Sequence, residues 1–203
     1  PARSAICIWI DSVMSGVQLR VNNGDGKYSC YVEILRAIKG QLSAMLSHHS
    51  KVLIFRLDLH REGYSRDNLE FSRFVEKIKK RARQHYKAKR LGYVWVREHE
   101  KAKQQHYHLA LMIDANKVQH PGRLINWIER RWEARGHPKP YTPGNCFKVL
   151  RRGSESGFSH IFERLSYMAK TRGKGYRASA VNDYSTSRIK PKHLIKHDIQ
   201  INQ

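Results

Sequence analysis

The chain has 203 residues, with 39 lysines and arginines against 17 acids and a formal net charge of +22. That length makes one domain with enough interior for a core, and no apolar run reaches the roughly 18 residues of a membrane-spanning helix. Solubility does not require so large an excess of positive charge, so a polyanionic partner is expected. Nucleic acid stands ahead of a membrane surface because no segment joins a strong apolar face to a continuous basic one. Cys7, Cys30 and Cys146 are odd in number and too scattered for a zinc-ligand pair or a disulfide framework, which fits a reducing cytoplasm. The opening Pro1-Ala2-Arg3 has neither Met nor a secretory pattern, so the true N-terminus is expected to lie upstream. Neither a membrane nor a small organic cofactor is expected as a partner.

In chain order, a mildly apolar start (residues 5–10) gives way to Asn22-Asn23-Gly24-Asp25-Gly26, which reads as a loop or hairpin tip. Tyr31, Leu35, Ile38, Leu42 and Met45 then recur at helical spacing, so an amphipathic helix is predicted within an N-terminal extension, residues 1–48. Lys51–His60 alternates, with Leu53, Phe55, Leu57 and Leu59 on one face and Val52, Ile54, Arg56, Asp58 and His60 on the other. The second face turns polar toward its end, as at the rim of a site. Asp67 and Glu70 form a capping-box pattern opening a helix with the stripe Phe71, Phe74, Val75, Ile78 and Ala82. Its outer face carries Lys77, Lys79, Lys80, Arg81, Arg83, Lys87 and Lys89 with hardly an acid among them, and so is expected to meet phosphates.

Residues 93–100 and 106–114 read as two strands joined by a polar linker, an antiparallel hairpin. A helix through Leu124, Ile125, Ile128 and Trp132, a Pro- and Gly-rich loop, and a short strand at 146–151 follow. In the last predicted helix, 158–171, Phe158, Ile161, Phe162, Leu165, Met168 and Ala169 form one stripe, and Tyr167 and Lys170 lie opposite it. The helix at 31–46 is expected to cover that stripe. The remainder, residues 173–203, is basic and reads as a nucleic-acid-contacting or partly disordered arm. The fold class is therefore α+β, with a central antiparallel sheet of about four to five strands and flanking helices.

His106 and His108 stand at i and i+2 on a strand, so their side chains share a face and can share a metal. Glu98 and Glu100 share a strand face and either can be the acid, whereas His99 points away. Two imidazoles and a carboxylate suit Mn²⁺ or Mg²⁺ with open positions for substrate oxygens. Asp58 and His60 are candidates for DNA contact or for support of the metal ligands. Trp95, Trp127 and Trp132 are candidates either for stacking on bases or for the core.

A strand, a helix, a hairpin carrying His106-Tyr107-His108, a helix, a strand and a helix with Tyr167-x-x-Lys170 together resemble the HUH endonuclease superfamily, in its single-tyrosine replication-initiator form. The resemblance covers about residues 52–171 and implies an HUH nuclease domain at 49–172, RRM-related in fold. Glu98, eight positions before His106, matches the acid that completes the metal site in initiators of small single-stranded DNA viruses. The strand end Arg56-Leu57-Asp58-Leu59-His60 and the basic composition are similar to replication proteins of filamentous phages (inoviruses) and their prophage relatives, of the YagK/YfjJ C-terminal type. What the resemblance implies is metal-dependent nicking and joining of single-stranded DNA, with Tyr167 as nucleophile and Lys170 assisting. The metal would be held by Glu98, His106 and His108. Arg56, Asp58, His60, Lys80, Arg83, Arg97, Arg172 and Lys174 are the expected nucleic-acid contacts. The implied role is initiation of rolling-circle replication, with unwinding left to a host helicase. A transposase or relaxase with the same chemistry, and a non-catalytic nucleic-acid-binding protein, stay open.

Overall fold

The computed structural model describes residues 19–192 apart from 25, 100–103, 176–177 and 180. The expectations for residues 5–10, for Glu100 and for positions 176–177, 180 and 193–203 of the basic tail fall outside the described residues. In order come α1 (Val32–His48), β1 (Lys51–His60), α2 (Leu69–Tyr86), β2 (Leu91–Glu98), β3 (His106–Asp114), α3 (Gly122–Glu133), β4 (Phe147–Arg151), α4 (Glu155–Ser166), a 3₁₀ turn (Tyr167–Ala169) and β5 (Tyr184–Thr186). The strands form one antiparallel sheet in the order β4-β1-β3-β2-β5, the α+β architecture expected from the sequence. No helix among the described residues is long and apolar enough to cross a membrane.

Strand alternation divides the protein into two cores. On one face Leu53, Phe55, Leu57 and Leu59 of β1, Trp95 of β2 and Tyr107, Leu109, Leu111 and Ile113 of β3 lie under the apolar stripes of α2 and α3. Aromatic rings knit this side: Phe71 stacks on Tyr107 at 3.8 Å and meets Trp95 and Trp132 edge-on. Trp95 and Trp132 are thus core residues, not platforms for bases. On the other face Val52, Ile54, Val94, Val96, Ala110 and Met112 lie under α1 and α4. The stripe of α4 is covered by α1, as its apolar spacing predicted: Ile34, Leu35, Ile38, Leu42 and Met45 are all buried there. A Cβ at Gly92 would come within 2.8 Å of Met45 Cγ, so only glycine lets α1 lie this close to β2.

Three local expectations are corrected. Asp67 Oδ1 accepts from Leu69 N, but Glu70 does not reach back to complete a capping box; its carboxylate is taken by Arg61 and His137. The last α-helix stops at Ser166 and tightens into the 3₁₀ turn, so Tyr167 and Lys170 sit across that turn rather than on a continuous helix. Finally, the tail is not simply an arm: Tyr184–Thr186 pairs with Val94–Val96 along the exposed edge of β2, which gives those backbone groups partners.

Candidate metal centre

The strand register assembles the site. Glu98 on β2 is the cross-strand partner of His106 on β3, which in turn faces His60 on β1; one step along, His108 faces Asp58. All five side chains project on the α1/α4 side of the sheet, beyond the point where Val52, Ile54, Val94 and Val96 give way to polar residues. His106 Nε2 lies 3.4 Å and His108 Nε2 3.2 Å from Glu98 Oε2. The three residues offer ligand atoms within 4.8 Å of one another. Glu98 is thus the acid beside the histidines among the described residues, and Glu100 lies outside them.

The groups behind the ligands fix which ring nitrogen faces the centre. His108 Nδ1 lies 2.7 Å from Asp58 Oδ1. Desolvation pushes the Asp58 pKa up, but the hydrogen bond and charge of His108 and the paired Arg56 guanidinium outweigh it and hold the group at about 2. An ionised Asp58 can only accept, so it draws a proton to Nδ1 at 2.7 Å, in competition with the Arg56 Nη2 that stands 3.0 Å from the same nitrogen; in a neutral His108 this leaves the lone pair on Nε2. Arg56 donates to both oxygens of Asp58 at 2.9 Å, locking the carboxylate in turn. His106 repeats the arrangement, with Nδ1 at 3.3 Å from the carbonyl oxygen of Gln104. His60 stacks against the His106 ring at 5.1 Å, and burial, then the neighbouring His106, lowers its pKa.

His108 Nε2 is fully buried and makes no hydrogen bond despite its short distance to Glu98. A lone pair facing a carboxylate is unfavourable unless a cation lies between them, and this orphaned atom is the observation that fits the donor set to a divalent ion. Glu98 is itself 2 % exposed. Burial alone would raise its pKa; the facing imidazoles, as donors and charges when protonated, and the Lys174 ammonium outweigh that and keep it well below the usual carboxylate range.

Tyr167 and Lys170 reach the same place. Lys170 Nζ stands 3.6 Å from Glu98 Oε2 and 4.0 Å from the centroid of the Tyr167 ring, with the Arg56 guanidinium 5.7 Å from that centroid. In a 3₁₀ turn residues i and i+3 eclipse, which brings the two side chains together. The segment before α1 holds this turn: Tyr31 N donates to Ala169 O, Thr171 N to Ser29 O, and Cys30 bridges Lys170. No signal in the sequence assigned that clamp to residues 29–31; it depends on chain segments about 140 positions apart, which no local pattern encodes.

The expected nucleic-acid contacts divide. Arg56 and Asp58 support His108, and His60 supports His106. Lys80 and Arg83 are exposed on α2, across the sheet from the Glu98–His106–His108 cluster, and Arg172 is exposed beside Tyr28. Two expectations are corrected. Arg97 alternates to the other face, is 2 % exposed, and donates to Ser65 O, Asn68 Oδ1 and Gln105 Oε1. Lys174 has a fully buried side chain whose Nζ donates to Glu98 Oε1 at 2.8 Å and to the Lys170 carbonyl. Gly173 and Gly175 on either side of it have φ of 75° and 90°, the left-handed conformations that turn the chain back toward Glu98.

The profile of the YagK/YfjJ C-terminal domain matches residues 15–135. The chain belongs to that family. The family match runs through Glu98, His106 and His108 and ends before Tyr167 and Lys170. The chain is also 27% identical, over 192 residues, to the uncharacterized protein YfjJ of Escherichia coli (strain K12); the similarity spans 74% of this chain and 92% of the relative.

Proposed function

We propose that this member of the YagK/YfjJ family is an HUH-type single-stranded DNA endonuclease and strand transferase that initiates rolling-circle replication of a phage, prophage or plasmid-like element. The observation that carries the reading is Lys170, within reach of both the Glu98 carboxylate and the Tyr167 ring. It ties a two-histidine, one-acid cluster to a nucleophile-bearing residue from a distant part of the chain. A divalent ion such as Mn²⁺ or Mg²⁺, held by Glu98, His106 and His108, would polarise the scissile phosphodiester when bound. The Tyr167 phenol oxygen attacks phosphorus and the bond to the 3′ oxygen breaks. The phenol proton is lost and the departing 3′ oxygen gains one, leaving a 5′-phosphotyrosine and a free 3′-hydroxyl. Lys170 and Arg56 supply positive charge beside the attacking ring and the phosphate. Asp58 and Arg56 hold His108 in the ligating tautomer. The reverse attack, by a 3′-hydroxyl on the phosphotyrosine, rejoins the strand. Unwinding would fall to a host helicase in the cytoplasm.

The test is incubation with Mn²⁺ and end-labelled single-stranded DNA, followed by a denaturing gel. A protein–DNA adduct is expected from the wild type and none from Tyr167→Phe. An adduct that persists in Tyr167→Phe removes the nucleophile, and no adduct or cleavage on origin, transposon-end or transfer-origin hairpins favours a non-catalytic nucleic-acid-binding protein. Cleavage confined to transposon ends or transfer origins would assign the same chemistry to a transposase or relaxase.

A further inference from the structure

Across the sheet from the metal ligands, α2 and α3 enclose an open groove of about 600 Å³ lined by Lys77, Lys80, Arg81, Trp127, Arg131 and Arg135 together with Gln84 and Ala134. Five of these residues are cations, and none of the residues lining the groove is acidic. Glu76, the acid next to it on α2, is already paired with Lys79 at 2.9 Å. The guanidiniums are braced by aromatic rings: Arg81 and Arg131 lie 5.9 and 6.0 Å from the Trp127 centroid, and Arg135 lies 4.5 Å from that of Phe74. Arg135 also donates to the Arg131 carbonyl, tying the end of α3 together.

We infer that this groove grips the phosphate backbone of duplex DNA, independently of sequence. Trp127 is the single aromatic residue lining the groove, with two guanidiniums about 6 Å over its ring, and Phe74 is buried, so the groove does not offer the row of open aromatic platforms on which bases of a single strand stack. Cations held on a rigid helix pair instead suit a regular array of phosphates, and a duplex presents about one charge per 1.7 Å of axis, twice the density of one strand. The groove lies on the α2/α3 side and the histidines on the α1/α4 side, so duplex held here leaves the metal ligands accessible. The inference stands whether or not Tyr167 is a nucleophile, because it uses none of the residues of that site.

The full chain carrying Lys77→Ala, Lys80→Ala and Arg131→Ala, all at exposed positions, is compared with a control carrying Arg36→Ala, Lys148→Ala and Arg151→Ala. Binding of a fluorescent duplex of random sequence is followed by anisotropy over a range of salt concentrations, without divalent metal. Each phosphate contact contributes about 0.9 to the slope of log K against log salt, so the groove variant should lose about 2.7 from that slope and bind at least tenfold more weakly at moderate salt. The control should keep most of both. Unchanged duplex affinity in the groove variant overturns the inference, as does an equal loss in the control, which would mean diffuse surface charge. Tighter binding of a single-stranded oligonucleotide than of duplex, lost with the same three substitutions, also overturns it and makes a single strand the occupant. The urea unfolding midpoint of the groove variant should match the wild type; if it is lowered, Lys80→Gln alone replaces the triple variant and should lose about 0.9 from the slope.

Discussion

Asp58→Asn isolates the group that sets the His108 tautomer. The asparagine side chain has nearly the same shape, but it carries no charge and turns either an oxygen or an NH₂ toward His108 Nδ1. The loss in stability follows from the acid's own titration. Asp58 ionises at about 2 in the folded protein against an ordinary 3.8, and at 1.36 kcal/mol per pKa unit this corresponds to about 2 kcal/mol of stability at neutral pH. Because the folded value is the lower one, the contribution is present above pH 4 and disappears as pH falls through 2; near pH 3 about half remains. Urea unfolding should therefore find Asp58→Asn less stable than the wild type by about 2 kcal/mol at pH 7, with the gap closing on acidification. The same substitution should weaken Mn²⁺ binding, measured by calorimetry, by about 10- to 100-fold, because the carboxylate that holds a ligating histidine is lost. A pH-independent gap would refute the assignment of Asp58 as the ionised partner. Unchanged Mn²⁺ affinity would refute the claim that Asp58 aims His108 Nε2 at the centre.

Lys174→Met removes the nearer of the two ammonium groups beside buried Glu98, leaving Lys170 at 3.6 Å, and should destabilise the protein by about 3 kcal/mol in urea unfolding, while leaving the salt slope of DNA binding unchanged. A reduced slope and an unaltered midpoint would return Lys174 to the DNA-contacting surface. His106→Ala and His108→Ala should each abolish nicking and Mn²⁺ binding but leave duplex affinity intact, because the basic groove lies across the sheet; equal loss of both would mean a structural role for the histidines. Deleting residues 1–48 removes the six buried apolar side chains of α1, Ile34, Leu35, Ile38, Leu42, Ala44 and Met45, worth on the order of 10 kcal/mol and comparable to the whole stability of a domain. The truncated chain should give no cooperative unfolding transition by circular dichroism, and a midpoint equal to that of the full chain would show that α1 is dispensable.

Most of the elements, and the three residues of the candidate metal cluster, are legible in the amino-acid order alone. Lys51–His60 and His106–Asp114 are strands at the expected residues because their alternation is strong and each has one fully apolar face. Period-2 geometry places His106 and His108 on one face whatever the rest of the chain does, and a hairpin between β2 and β3 brings Glu98 opposite His106. Net charge is additive and needs no fold to be read. Tertiary structure alone decided the partners of residues far apart in sequence. Lys174 and Arg97 are basic and sit in polar stretches, so their composition suggested exposed phosphate contacts. One is turned inward by flanking glycines with positive φ, and the other is consumed by backbone and amide acceptors on the opposite face of the sheet. The end of α4 was likewise beyond local pattern, because its stripe continues through Met168 and Ala169 in a 3₁₀ turn that the residues before α1 hold in place. Burial of a charged side chain depends on whether the fold supplies its partner, and that partner is chosen by chain topology rather than by neighbours in sequence.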